Sequence, residues 1–130
     1  MPLSNTDDPL NGVRILLVED SWPVGIAMKR LLQSFGADVA GPASTTAEAE
    51  RLISEHAPDA ALVDINLRGG ELAYGLIDRL HDQGVRVIVT TGYAVLPLVR
   101  LKAAAVLEKP VNAAQLLEAL RPVTARNAAQ

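Results

Sequence analysis

The chain has no cysteine, which excludes disulfides and thiolate metal sites and is compatible with a reducing compartment. Aromatic residues make up only 3%, with one Trp and one Phe, so any core must be built from Val, Leu, Ile and Ala. There is no block of Lys or Arg, and the net charge is −3. That argues against nucleic acid as a partner, because phosphate backbones are gripped by clustered cations. No apolar run approaches the ~20 residues of a membrane helix. The polar start, Met1–Gly12, has no apolar signal core. The expectation is a soluble, cytoplasmic protein. No glycine-rich turn follows the first apolar run, which disfavours a dinucleotide-binding domain.

What is present fits one domain of 130 residues, large enough to bury about two-thirds of its unfolded surface. Residues 1–12, with Pro2, Pro9 and the Asn11-Gly12 pair, are expected to form a flexible leader. Residues 13–122 form the domain, and residues 123–130 are expected to be a flexible tail. Five short apolar runs alternate with five helical patterns. The runs are Arg14–Val18, Ala37–Ala40, Ala60–Asp64, Arg86–Thr90 and Ala104–Glu108. The first, third and fourth are nearly continuous and apolar, as strands buried on both faces of a parallel sheet must be.

The helical patterns carry their own punctuation. Val24, Ala27, Met28, Leu31 and Phe35 fall at helical spacing before Gly36. Thr45 and Glu48 have capping-box spacing and open a helix that reaches His56 ahead of Pro58. Leu72, Ala73, Leu76, Ile77 and Leu80 make a third stripe, closed by Gly84. The fourth, around residues 94–102, is weakened by Pro97. The fifth opens at Asn112, with Gln115 three residues on, and is expected to end before Pro122. A repeated strand–helix alternation implies a parallel sheet with helices on both faces, and ligands then bind beyond the carboxyl ends of the strands.

Those ends carry chemistry. Glu19 and Asp20 follow the first run, Asp64 ends the third, Thr90, Thr91 and Gly92 follow the fourth, and Lys109-Pro110 follows the fifth. Taken singly, each is more often a solvated loop, a cap or a turn. Taken together and in this order, they place three carboxylates, a hydroxyl and an amine on one sheet edge. Clustered carboxylates repel one another unless a cation offsets them, and an oxygen-only set suits Mg²⁺. Lys109 and a threonine hydroxyl add what a phosphoryl group requires. Asp64 is the candidate nucleophile, since a carboxylate can form an acyl phosphate. A phosphatase working through an aspartyl phosphate is disfavoured, because Asp64-Ile65-Asn66 lacks a second Asp as acid–base.

The stretches Ile15–Ser21 (ILLVEDS), Ala61–Leu67 (ALVDINL), Val87–Tyr93 (VIVTTGY) and Val106–Pro110 (VLEKP) resemble the response-regulator receiver (CheY-like) family, over about Val13 to Arg121. The resemblance implies a flavodoxin-like, doubly wound α/β fold. Its five-stranded parallel sheet has the order 2-1-3-4-5, with five helices, the fourth here short or irregular. It also implies two-component signalling, in which a histidine kinase or phosphotransfer protein phosphorylates Asp64 with Mg²⁺. The domain would catalyse only its own phosphorylation and slow dephosphorylation, and would signal to a downstream protein. By the same resemblance, Asp20 is a direct metal ligand, Glu19 acts through water, and Asn66 supplies a backbone carbonyl. Thr91 is the switch hydroxyl, with Thr90 the competing assignment. Lys109 is the phosphate-binding lysine, joined to Pro110 by a cis bond. A receiver cut from a hybrid kinase and a phosphorylation-independent binding module are the alternatives.

Two features depart from the family pattern. Val106 stands where an aromatic residue usually couples to the switch threonine, and only 18 positions separate Thr91 from Lys109. With Thr91-Gly92-Tyr93, they resemble the subgroup named for a Phe-Ala-Thr-Gly motif (FATGUY), which pairs with HWE or related histidine kinases; Val89-Thr90 replaces Phe-Ala. The expected switch is therefore a shift or an order–disorder change over Thr91–Lys102. Val95, Leu96, Leu98 and Leu101 form a modest apolar set that reads either as core or, by the resemblance, as a face for partners or a weak homodimer. Trp22 reads as a rim residue beside the metal or an exposed helix start. Tyr93 reads as a surface residue, a kinase contact or a gate. His56 and His81 read as solvated, and the loop from Arg68 to Glu71 as flexible.

Overall fold

In a computed structural model of the chain, residues 8–67, 73–92 and 102–128 are described. In chain order the elements are β1 (Arg14–Val18), α1 (Trp22–Ser34), β2 (Asp38–Ala43), α2 (Thr46–His56), β3 (Ala60–Asp64), α3 (Tyr74–Asp82), β4 (Arg86–Thr91), β5 (Ala105–Glu108) and α4 (Ala113–Ala128). The strands form one parallel sheet, as the alternation implies, in the order β2-β1-β3-β4-β5, as the family resemblance implies. Four helices lie among the described residues. The irregular helix expected between β4 and β5 falls mostly on residues 93–101, outside them, as do Tyr93, Pro97 and the apolar set from Val95 to Leu101.

Strand alternation sorts the core into two layers. Leu16, Val18, Ala61, Val63, Val87 and Val89 face Ala49 and Ile53 of α2 and Leu76, Ile77 and Leu80 of α3. Ile15, Leu17, Leu62 and Ile88 face Leu32 of α1 and Leu116, Leu120 and Val123 of α4. Both faces of the central strands are thereby buried, which is why those runs read as continuously apolar.

The caps follow the sequence. The Thr45 hydroxyl accepts from the Glu48 amide at 3.2 Å, while the Glu48 carboxylate accepts from the Ser44 amide at 3.1 Å. Before α4, Asn112 Oδ1 accepts from the Gln115 amide at 2.8 Å, and Gln115 Oε1 accepts from the Asn112 amide at 2.9 Å. Each satisfies amides that the first helical turn leaves without partners.

Three boundaries differ from expectation. The leader expected over residues 1–12 does not hold to its end, because Leu10 is 0% exposed and its amide donates to the Phe35 carbonyl at 2.8 Å. Gly36, at φ +97°, makes room for this contact: a Cβ there would lie 3.0 Å from the Cβ of Asp8. The tail expected over residues 123–130 is helical to Ala128, and the helix expected to end before Pro122 runs through it. An interior proline loses one helical bond and crowds the preceding turn. Here burial of Leu120 and Val123 on either side offsets that cost. Exposed Glu118, four residues before Pro122, can turn its carbonyl to water. The Ala119 carbonyl accepts from Arg86 Nε at 2.8 Å. Finally, β2 continues past Ala40 to Ala43 with an irregularity at its end.

Leu10 therefore belongs to the core. Leu10→Ala is expected to lower unfolding free energy by about 2–5 kcal/mol, the usual range for a fully buried leucine. Urea midpoints check this, and a change under about 0.5 kcal/mol contradicts it.

Candidate functional site

The sheet order sets the place of the site. β1 and β3 are adjacent, so their carboxyl ends put Glu19 and Asp20 beside Asp64. One carboxylate oxygen from each of these three residues lies within 4.8 Å of the other two. β4 pairs with β3 so that Thr90 stands opposite Asp64. β5 then delivers Lys109: its amide donates to the Thr91 carbonyl at 2.8 Å, and its bond to Pro110 is cis. The Lys109 ammonium donates to Asp64 Oδ2 at 2.9 Å and to Glu19 Oε1 at 3.0 Å.

The backbone holds the carboxylates from the other side. The Asn66 amide donates to Asp64 Oδ1 at 3.1 Å, and the Ser21 amide donates to Glu19 Oε2 at 3.2 Å. The Ile65 amide bonds to the Thr90 carbonyl at 3.2 Å and the Ala73 amide to the Ile65 carbonyl at 3.2 Å, which anchors both ends of the loop after Asp64. The loop's middle, including Arg68 to Glu71, lies outside the described residues. Glu19, Asp64, Thr90 and Thr91 are the buried polar and charged residues among those described.

Strand alternation separates the two threonines. Thr90 lies on the α1/α4 side, where it lines a cavity of about 480 Å³ together with Glu19, Val24, Met28 and Lys109. Thr91 lies on the α2/α3 side with Val89. Trp22, at the start of α1, is 65% exposed. His56 and His81 are exposed and far along the chain's other end of the helices, apart from this cluster.

The electrostatics follow from crowding. Burial pushes the Glu19 carboxyl above its ordinary 4.5, and the neighbouring Asp64 carboxylate pushes it further, against the pull of Lys109. For Lys109, burial pulls down, but hydrogen bonds and charge from Asp64 and Glu19 outweigh it and raise the ammonium above 10.5. One cation thus serves two carboxylates and cannot offset both. The donor set is all oxygen, with no nitrogen or sulfur ligand, so the cluster fits a hard divalent cation.

Residues 15–121 match the sequence pattern of the response regulator receiver domain. The chain belongs to the response-regulator receiver family. Its structure is similar to a CheY-like receiver domain protein from Methanospirillum hungatei, at 30% identity and a TM-score of 0.79, covering 89% of this chain and 96% of that one. It is also similar to SdrG from Sphingomonas melonis, at 27% identity and a TM-score of 0.73, covering 84% of this chain and 93% of that one. The response regulator PhyR from Brucella abortus is 25% identical with a TM-score of 0.74, over 96% of this chain but 55% of that one. No curated protein matches the chain. Among the described residues of this receiver domain, no helix is long and apolar enough to cross a membrane.

Every residue singled out in sequence for the receiver site, Glu19, Asp20, Asp64, Asn66, Thr90, Thr91 and Lys109, lies at this one edge. Sequence reasoning missed the direct Lys109–Glu19 contact and the Ser21 amide. The second had a local signal, since a residue two positions past a carboxylate commonly closes such a bond. The first joins residues far apart in the chain and had none.

Glu19 gives this site an unusual pH signature. Its folded value lies above 4.5, so folding favours the protonated form. Its contribution is most favourable below 4.5 and is lost as pH rises through the folded value, opposite to an ordinary paired carboxylate. The Lys109 contribution is whole below 10.5 and is lost as pH rises through its own folded value. In metal-free buffer, Glu19→Gln should therefore gain stability relative to wild type at about pH 8 compared with about pH 4. Urea midpoints at both values check this; a pH-independent difference contradicts it.

Proposed function

We propose that this receiver domain accepts a phosphoryl group on Asp64 from a phosphohistidine of a histidine kinase or phosphotransfer protein, with Mg²⁺ present. The single observation that carries the reading is Asp64 held between the Lys109 ammonium and the Asn66 amide, with Glu19 and Asp20 within ligand reach. Asp20, Asp64 and the Asn66 carbonyl would hold the cation, with Glu19 acting through water. When bound, Mg²⁺ offsets the charge of the carboxylates and of the incoming phosphoryl oxygens.

An oxygen of Asp64 attacks phosphorus as the bond from phosphorus to the donor imidazole nitrogen breaks, and the imidazole leaves. Lys109 already donates to Asp64 Oδ2, so it needs only a small shift to follow the charge onto a phosphoryl oxygen. Glu19 and Asp20 would hold a cation whose charge offsets the loss of Lys109 from Glu19. Thr91 then donates its hydroxyl to the phosphoryl group. The switch is expected over Thr91–Lys102, of which residues 93–101 lie outside the described residues, because Val106 is half-buried in the core and has no aromatic ring to rotate.

The domain catalyses only its own phosphorylation and slow dephosphorylation, and passes its state on by protein–protein contact. Exposed Trp22 and Val24, with the cavity along α1, supply apolar surface beside Asp64 on which a donor protein can seat its histidine. The Thr91-Gly92-Tyr93 triplet supports a donor of the HWE or related type.

Acetyl phosphate with Mg²⁺ should add one phosphoryl group to the wild type by intact-mass measurement. Asp64→Asn should gain none, and chelation of Mg²⁺ should abolish labelling of the wild type. Equal labelling of Asp64→Asn, or labelling insensitive to chelation, overturns the reading.

A further inference from the structure

The Glu19-Asp20 turn is not held by β1 alone. In the β1–β2 pair, Leu16 stands opposite Ala40 but Val18 stands opposite Ala43, so β2 carries one more residue than β1 over this stretch. The extra length is Gly41-Pro42. Gly41 has φ +110°, and a Cβ there would lie 2.4 Å from the Leu17 carbonyl oxygen, so only glycine fits. The bulge brings the Ala43 carbonyl past the end of β1, where it accepts from the Glu19 amide at 2.8 Å.

Helix α1 grips the bulge from above. Lys29 Nζ donates to the Gly41 carbonyl at 2.7 Å. Gly25 is buried over Pro42: a Cβ at residue 25 would lie 2.9 Å from both Cβ and Cγ of the proline and 3.6 Å from Cγ of Glu19. The Lys29 bond is to backbone, not to a carboxylate.

We infer that the β2 bulge, clamped by Lys29 and admitted by Gly25, sets the position of the acidic pair and thereby the affinity of the site for its divalent cation. Lys29 is a positioning residue that acts through Gly41, Ala43 and Glu19. The inference rests on the receiver reading above, because it takes Mg²⁺ as the ligand of that cluster. Glu19 and Asp20 are adjacent, so a backbone displaced at Glu19 displaces both carboxylates relative to Asp64. Residues that orient metal ligands from behind commonly change metal affinity about 10-fold to 100-fold when removed.

The test separates positioning from charge by its sign. Removing a lysine leaves the protein more negative, which by Coulomb attraction alone tightens Mg²⁺ binding. Positioning predicts the reverse. By titration calorimetry with Mg²⁺, Lys29→Met should bind about tenfold more weakly than wild type. Lys29→Arg, which keeps a donor, should recover most of the loss. Without Mg²⁺, amide exchange at Glu19 should be faster in Lys29→Met than in wild type, while amides of β3 keep their protection. Gly25→Ala, which perturbs the same contact without altering charge, should also weaken Mg²⁺ binding. Unchanged or tighter Mg²⁺ binding by Lys29→Met, with unchanged exchange at Glu19, overturns this inference and leaves the receiver reading intact. Absence of Mg²⁺ binding by the wild type overturns both.

Discussion

One ammonium group shared by two buried carboxylates organises the carboxyl edge of this sheet. Lys109 reaches both Asp64 and Glu19, and neither carboxylate could be so enclosed without it. Removing charged groups from water is costly, and their mutual attraction repays it only with good geometry and further hydrogen bonds. The Asn66 and Ser21 amides supply those bonds. Even so, two carboxylates and a third nearby exceed one ammonium, and Glu19 is held above its ordinary range as a result. The site is thus short of positive charge by construction, which is the condition a hard divalent cation would relieve.

The rest of the fold exists to bring distant residues to this edge. Parallel pairing in the order β2-β1-β3-β4-β5 places strand ends from Glu19, Asp64 and Lys109 side by side. The two apolar layers fix each strand's face, since a shift of one residue would exchange them. Where the strands stop, individual backbone bonds take over: Ala43 to Glu19, Thr90 to Ile65 and Thr91 to Lys109. The solved structures similar to this chain at 25–30% identity share the fold. The Gly41-Pro42 bulge is the means by which this chain's second strand is fitted to its first.

Most of the architecture was legible because the signals were local or periodic. The runs of β1, β3 and β4, the Thr45 and Asn112 caps and the strand-end chemistry all appear in short windows. What was not legible depended on tertiary contact. Leu10 sits among Pro and Asn-Gly and reads as leader; only its packing in the layer with Leu32, Leu116 and Leu120, with its amide bonded to the Phe35 carbonyl, makes it core. Pro122 reads as a stop, and only the burial of its neighbours carries α4 through it. The second apolar run stops at Ala40, whereas the strand continues to Ala43 and absorbs Gly41-Pro42 as a bulge. The Lys109–Glu19 bond spans 90 positions and leaves no mark on local pattern.

The central claim is that Lys109 and Asp64 are energetically coupled through a direct, partly buried contact. A double-mutant cycle with Lys109→Met and Asp64→Asn, read as urea stability in metal-free buffer, measures that coupling directly. The account predicts a favourable interaction of at least about 1 kcal/mol, as for groups in direct contact. Free energies that add to within about 0.3 kcal/mol would show the two side chains to be independent, and would contradict it.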